Sequence, residues 1–176
     1  METNKASVKK IALNYGLILA LSSIVLSVIV YVMGMHMEQP WWQSVLSFLI
    51  MTTVIVYGLK AFKKEGDGFL TLGDAIKTGL AISLVAGIVG SIFTYLFVTV
   101  IEPDFVVQML EVTREKMITD NPQMTEEQLE VAMNMTEKFM SPMMMTAFGL
   151  IASLFFGFII SLIAGLIMKQ NRPETY

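Results

Sequence analysis

Thioether and imidazole side chains, which can act as soft metal ligands, are concentrated in two short stretches of this sequence. The first stretch contains Met33, Met35, His36 and Met37. The second contains six methionines: Met133, Met135, Met140, Met143, Met144 and Met145. Thioether sulfur suits Cu(I), so one hypothesis is a soft-metal site formed by these side chains. Methionine is also a flexible filler of apolar helices and interfaces, and we favour this second interpretation.

Carboxylates are the other clustered group with possible chemistry. Glu126, Glu127, Glu130 and Glu137 lie close together in the chain and together resemble a cation site. A calcium-binding loop would also need alternating oxygen ligands and a glycine at its sharp turn, and the sequence has neither. The pattern therefore favours a solvated helix face, and we expect no metal or other cofactor.

Four long uncharged segments dominate the rest of the sequence. They span 27 residues between Lys10 and Glu38, 21 between Glu38 and Lys60, 24 between Lys77 and Glu102, and 30 between Lys138 and Lys169. A helix needs about 20 apolar residues to cross the hydrocarbon core of a bilayer. The sequence therefore predicts an all-α integral membrane protein in one domain of 176 residues. Its transmembrane helices are predicted at about 11–33, 41–59, 78–101 and 142–168.

Shorter elements are predicted between these helices. The acidic insert, residues 102–138, is divided by Asn121-Pro122 into two amphipathic helices that lean on each other or on the membrane surface. Thr125 and Gln128 fit a capping box for the second helix. Ser141-Pro142 suits the start of the fourth transmembrane helix. Thr71 and Asp74 indicate another helix start, which we interpret as a short interfacial segment before the third transmembrane helix.

Lysine and arginine residues predict the orientation. The N-terminal tail has three, the loop between the second and third transmembrane helices has four, and the C-terminal tail has two. The two loops on the opposite side have none and three. Because cytoplasmic loops carry an excess of Lys and Arg, this split of nine to three predicts cytoplasmic termini and an outward-facing insert.

Small residues recur at every fourth position in the third and fourth transmembrane helices. The third has Gly79, Ser83, Gly87 and Ser91, and the fourth has Gly149, Ser153, Gly157, Ser161 and Gly165. Residues four apart share a helix face, where a row of small side chains allows another helix to approach closely. We expect at least one row to pack within the chain, and the other row is open to packing against a second subunit.

Several short motifs resemble a known family. They are Gly58-Leu59-Lys60, the run from Phe69-Leu70-Thr71-Leu72-Gly73-Asp74 to Ala75-Ile76-Lys77-Thr78-Gly79, Tyr95, and Ile101-Glu102-Pro103-Asp104-Phe105. Together they resemble the domain-of-unknown-function 4199 family, which comprises small bacterial membrane proteins with four transmembrane helices. The resemblance implies that architecture and a bacterial inner membrane, and it brings no activity and no functional residues.

The predicted spans also limit the classes of function. They contain no Asp, Glu, Lys or Arg, and the single histidine, His36, follows the first span. Intramembrane enzymes and ion-coupled transporters usually keep ionisable groups within the membrane, so we expect no enzymatic activity. Nothing in the sequence favours nucleic-acid binding. We predict a role in interaction or envelope organisation, through the insert or by self-association, with the bilayer and a homo-oligomer or another membrane or periplasmic protein as partners. The alternative is a small channel or transporter subunit, because serine and threonine can line a pore.

Overall fold

The computed structural model describes residues 7–38 and 40–170, and this part of the chain is almost entirely helical. The elements are α1 (Val8–Val32), α2 (Trp41–Glu65), α3 (Leu72–Leu96), a π-helical turn (Phe97–Ile101), α4 (Phe105–Asp120), α5 (Glu126–Phe139) and α6 (Pro142–Met168). The only extended pairing among the described residues is an isolated bridge between Leu70 and Gln170. The predicted all-α class is therefore confirmed.

Four helices are long and apolar enough to cross a membrane: α1, α2, α3 with its π-helical turn, and α6. The prediction of a multi-pass membrane protein with four transmembrane helices is confirmed. Three helices extend beyond their predicted bounds: α1 already begins at Val8, α2 continues to Glu65, and α3 already begins at Leu72. Lysines and other charged residues do not end a helix. They indicate only where the helix leaves the hydrocarbon core of the bilayer. The predicted interfacial segment is thus the first turns of α3, which Thr71 caps by accepting a hydrogen bond from the Asp74 N–H at 3.1 Å.

Both described chain ends lie at one end of the bundle, which we call the terminal end. There Lys10 Nζ is 3.2 Å from Glu65 Oε2. Leu70 and Gln170 exchange backbone hydrogen bonds at 3.1 and 2.9 Å. The α1–α2 loop, α4 and α5 lie at the opposite end, which we call the insert end. This arrangement agrees with the alternation of loops expected for four consecutive transmembrane helices.

The closest packing in the bundle is an antiparallel seam between α3 and α6, in which small residues of the two helices alternate. Gly79 packs against Ser161, Ser83 against Gly157, and Gly87 against Ser153. A Cβ added at Gly87 would meet the Ser153 Cβ at 3.3 Å. Ser153 Oγ also donates a hydrogen bond to the Ser83 carbonyl at 2.9 Å. Because each pair lies four residues beyond the last on both helices, the two rows face each other within one chain.

Helices α1 and α2 pack on α3 in different ways. Gly16 of α1 lies so close to α3 that an added Cβ would be 2.6 Å from the Val85 Cβ. The buried residues of α2 are Ile55, Gly58 and Leu59, all in its terminal half. In its insert half, residues 44–46, 48 and 49 are exposed. Helix α2 therefore contacts the bundle near the terminal end and diverges from it towards the insert end.

The insert forms the two helices that the sequence predicts, α4 and α5. The capping box of α5 is confirmed, since Thr125 Oγ1 accepts from the Gln128 N–H at 3.3 Å and Gln128 Oε1 accepts from the Thr125 N–H at 3.1 Å. Pro142 occupies the first turn of α6 as predicted, but the Ser141 hydroxyl does not cap this helix. It donates instead to the Lys138 carbonyl at 3.0 Å, because α5 ends there with unpaired carbonyl groups.

Candidate functional site

The divergence of α2 leaves a cavity of about 850 Å³ in the insert half of the bundle. Its lining residues fall within segments 19–30 of α1, 43–51 of α2, 86–98 of α3 and its π-helical turn, and 145–156 of α6, together with His36 and Phe105. At 1.5 Å per residue, these segments cover a depth of about 12–18 Å. The hydrocarbon core is about 30 Å thick, so the cavity occupies roughly one leaflet.

The cavity is closed towards the terminal end and open at one side. Its deepest lining residues include Leu19, Met51 and Ala86. Beyond them Ile55, Leu59 and Ile82 are completely buried in the core of the bundle. The tight packing in the terminal half of the bundle closes the cavity on that side.

The open side lies between α2 and α6. Lining residues on these two helices are exposed: Ser44, Phe48, Gly149, Ala152 and Phe156. The rings of Phe48 and Phe156 meet edge to face across this gap, with centroids 6.3 Å apart and an interplanar angle of 81°. Since α2 and α6 are both membrane-spanning helices, this opening faces the surrounding lipid.

Polar side chains are concentrated in the cavity wall. Three lining hydroxyls donate to backbone carbonyls: Ser91 to Thr146, Ser153 to Ser83, and Thr146 to Met143. Five others make no hydrogen bond to any described residue: Ser23, Ser27, Ser44, Ser47 and Thr94. Within a bilayer, a polar group without a partner carries a free-energy cost. The wall can therefore offer several hydrogen bonds to a bound molecule.

A histidine–carboxylate pair lies at the insert end of the cavity. His36 Nε2 is 3.1 Å from Glu102 Oε1, and the two side chains are only 20% and 14% exposed. The His36 ring contacts Tyr31 edge to face at 5.0 Å and stacks on Phe105 at 6.3 Å. The pair joins the α1–α2 loop to the start of the insert, which is 66 residues further along the chain.

The π-helical turn at the end of α3 helps to position the carboxylate. The Glu102 N–H donates to the Phe97 carbonyl at 2.8 Å, which closes the wider π-helical ring. Short π-helical segments are frequent at functional sites. The pairing of Glu102 with His36 was not predicted from the sequence, because spacing along the chain does not bring the two residues together. The feature of the sequence that could have pointed to them is that each is an isolated ionisable residue at the end of a predicted span.

The methionines of the two predicted stretches lie in different environments. His36 Nε2 faces Glu102, and Met33 and Met143 are exposed. Met35 and Met37 are half-buried, and Met145 lines the cavity. No three His, Asp or Glu side chains converge within the described part of the chain. The soft-metal hypothesis and the filler interpretation therefore both stay predictions.

The predicted helix-packing residues divide between the seam and the cavity. Gly165 packs against Ala75 and extends the seam to the terminal end. Ser91 reaches α6 through its hydrogen bond to the Thr146 carbonyl. Gly149 differs from the rest of its row, because a Cβ there would meet nothing within 4 Å. It lines the cavity, as does Gly90 of α3, whose Cβ position is equally open.

Comparison with protein families places this architecture in a known group. Residues 14–170 match the family described as "Protein of unknown function (DUF4199)". The match includes all the residues that line the cavity. Comparisons with curated proteins and with solved structures gave no match. With most of its length covered by this match, the chain belongs to the DUF4199 family.

Proposed function

We propose that this protein is a non-enzymatic protein of the bacterial inner membrane that binds a small molecule in its cavity. The observation that carries this proposal is a cavity of about 850 Å³ whose wall holds five hydroxyls without hydrogen-bond partners among the described residues. Ligand pockets usually measure about 300–1,000 Å³, so the space is large enough for a small molecule.

The closed terminal half favours binding over conduction. A channel needs a continuous path, whereas Ile55, Leu59 and Ile82 are fully buried between the cavity and the terminal end. The sequence suggested either an interaction role or a channel or transporter subunit. A closed cavity that can hold a solute is more typical of a transporter subunit than of a channel. Among the described lining residues the cavity holds one histidine, His36, whose Nε2 is paired with Glu102. The non-enzymatic part of the proposal rests on the sequence, because the predicted spans contain no Asp, Glu, Lys or Arg.

The charge distribution supports an orientation with cytoplasmic termini. In the sequence, nine Lys and Arg residues belong to the N-terminal tail, the segment 60–77 and the C-terminal tail, and three belong to the insert. Under the positive-inside rule the terminal end faces the cytoplasm. The cavity then lies in the outer half of the inner membrane.

Cavity-filling variants test the proposal. The protein would be purified from native membranes in a mild detergent, and native mass spectrometry would identify any bound small molecule. Gly90→Leu and Gly149→Leu add a side chain at lining positions where a Cβ would meet nothing within 4 Å. We expect both variants to lose the bound molecule. Gly73→Leu is the matched control, since Gly73 is exposed and lies at the start of α3. A parent without a bound molecule, or equal occupancy in all variants, would contradict the proposal.

An interaction role remains a second candidate, because one face of α5 is apolar and exposed. Val131, Met135 and Phe139 lie four residues apart on this face and are 58%, 60% and 52% exposed. Substituting Met135→Ser should weaken recovery of a protein partner from cross-linked membranes if this face binds one. Asn134→Ser, at the adjacent exposed position, is the control. Equal recovery with the two variants would remove this candidate.

A further inference from the structure

We infer that the cavity binds an uncharged, lipid-soluble molecule through carbonyl or hydroxyl oxygens, and that this molecule enters sideways between α2 and α6. The inference rests on the proposed function and specifies the ligand class and its route. A neutral glycerolipid and a membrane quinone share this chemistry, since both join oxygen acceptors to a large apolar body.

The composition of the wall argues for an uncharged ligand. None of the described residues that line the cavity is Asp, Glu, Lys or Arg. His36 lies at the insert end, where Glu102 already engages it. A charged group taken into a low-dielectric cavity loses its hydration and needs a counter-charge. The wall provides hydroxyl groups rather than a counter-charge, so a neutral ligand fits it better.

The unpartnered hydroxyls mark the depth of the ligand's polar group. Ser23 and Ser27 lie on α1, Ser44 and Ser47 on α2, and Thr94 on α3. Counted along their helices, they lie about 5–14 Å from the insert ends of the spans. Each hydroxyl can donate one hydrogen bond and accept others, which suits carbonyl and hydroxyl oxygens.

The deeper wall suits the apolar part of the same molecule. Leu19, Met51, Ala86 and Phe156 line this region of the cavity. They present aliphatic, thioether and aromatic groups, which favour burial of hydrocarbon. The ligand would therefore lie with its oxygens towards the insert end and its hydrocarbon towards the middle of the bilayer, as lipids of the outer leaflet do.

Aromatic side chains cover the insert end of the cavity and direct access to its open side. The Phe97 and Phe105 rings meet edge to face at 5.7 Å, and Phe105 also stacks on His36. The side between α2 and α6 is spanned by the Phe48–Phe156 ring pair, and nearer the insert end Ser44, Gly149 and Ala152 are exposed there. A lipid-soluble molecule can reach this opening by diffusion within the membrane.

Photo-crosslinking in proteoliposomes tests the ligand class. The probes would be a photoreactive diacylglycerol, a photoreactive quinone analogue and, for comparison, a photoreactive phosphatidylglycerol with the same chains as the diacylglycerol. We expect at least one neutral probe to label cavity-lining peptides, and the anionic probe to label them less. The quinone and diacylglycerol results distinguish the two sources of the shared chemistry. Equal labelling by the anionic probe, or no cavity labelling by either neutral probe, would overturn the inferred class.

Hydroxyl deletions test the proposed contacts. Ser27→Ala with Ser47→Ala should weaken binding of the labelling probe by about fivefold for each hydroxyl that it contacts, given the usual net strength of one hydrogen bond. Ser22→Ala is the matched control, because Ser22 lies on α1 beside a lining residue but does not line the cavity. Unchanged affinity in the double variant would overturn the role of the hydroxyls.

A cross-link across the opening tests the route. The chain has no cysteine, so Phe48→Cys with Phe156→Cys supplies a unique pair for a short bis-maleimide. We expect complete cross-linking to abolish probe labelling over the time in which the untreated protein is labelled, because a closed gate sequesters the site behind it. Single-cysteine variants treated with the same reagent control for its bulk. Unchanged labelling of the cross-linked protein would overturn the lateral route.

These outcomes are separable from the proposed function. If the native protein carries a small molecule that Gly90→Leu displaces, but neither neutral probe labels the cavity, the inferred ligand class is wrong and ligand binding stands. If Gly90→Leu and Gly149→Leu leave the native occupancy unchanged, the proposed function itself is wrong.

Discussion

Gly157 of α6 lies against the Ser83 side chain of α3, and a Cβ added at residue 157 would be 2.6 Å from the Ser83 Cβ. Contacts this close require glycine, because any side chain there must push the helices apart. The size of single residues such as Gly157 thus sets how closely α3 and α6 can approach each other. Since lipid supplies no hydrophobic force between helices, stability in the membrane depends on such close contacts.

Enlarging Gly157 should destabilise the protein. We expect Gly157→Leu to lower the free energy of unfolding by about 1–3 kcal/mol, the usual range for overpacking. The thermal midpoint in detergent measures this change. Ala147→Leu is the matched control on the same helix, because Ala147 is exposed and does not line the cavity. Equal midpoints for the two variants would show that the seam does not limit stability.

Two glycines on other helices should tolerate alanine differently. A Cβ at Gly16 would lie 2.9 Å from the Ile82 carbonyl oxygen, which is backbone, and 2.6 Å from the branched Val85 Cβ. At Gly58 the nearest atom is the flexible end of the Ile82 side chain. We therefore expect Gly16→Ala to lower the thermal midpoint more than Gly58→Ala does. A larger decrease for Gly58→Ala would contradict the assigned packing of α1 on α3.

Orientation can be tested with single cysteines in this cysteine-free chain. We expect a cysteine at Glu65, which is exposed at the terminal end, to react only with reagents on the cytoplasmic side. A cysteine at Asn121, between α4 and α5, should react only from outside, because the insert carries few positive charges. Impermeant maleimide labelling of intact cells and of inverted vesicles measures both. Labelling of the two positions from the same side would refute the four-span topology, and labelling of each from the opposite side would reverse the orientation.

The His36–Glu102 pair should contribute to stability as a coupled unit. Either single change, His36→Phe or Glu102→Gln, leaves the other, largely buried side chain without its hydrogen-bond partner. The double variant should therefore lose less free energy of unfolding than the two single variants lose together. We expect a coupling free energy of about 0.5–3 kcal/mol in a double-mutant cycle. Unfolding in detergent measures it, and Glu38→Gln, exposed on the same loop, is the control. Simple additivity would mean that the 3.1 Å contact is energetically unimportant.

Removing loop methionines should not change Cu(I) binding. We expect the double variant Met35→Leu with Met37→Leu to match the parent in competition with a Cu(I) chelator, because His36 is paired with Glu102. Leucine has nearly the volume of methionine, so the packing should be preserved. Stoichiometric binding by the parent that the double variant lacks would instead support the soft-metal hypothesis.

Local and compositional signals in the sequence determined the elements. The four charge-free segments predicted the four membrane-spanning helices, because only a long apolar helix can move from water into the hydrocarbon core of a bilayer. The capping residues Thr125 and Gln128 predicted the start of α5, and Asn121-Pro122 predicted the break before it. These signals act within a few residues of the chain, so they are visible without a fold. The helix bounds shifted where charged turns simply continue a helix into the headgroup region, as in α2 beyond Lys60.

Only the tertiary structure decided what each small or polar residue faces. The same glycine pattern places Gly157 in the seam and Gly149 in the cavity, because the contact at each position depends on where α2 and α3 lie relative to α6. His36 and Glu102 meet across 66 residues, and Ser23 and Ser47 line one wall although they belong to different helices. Helix orientation and separation come from packing summed over the whole bundle. Periodicity in one segment defines its faces, but the partner of each face is set by the other helices.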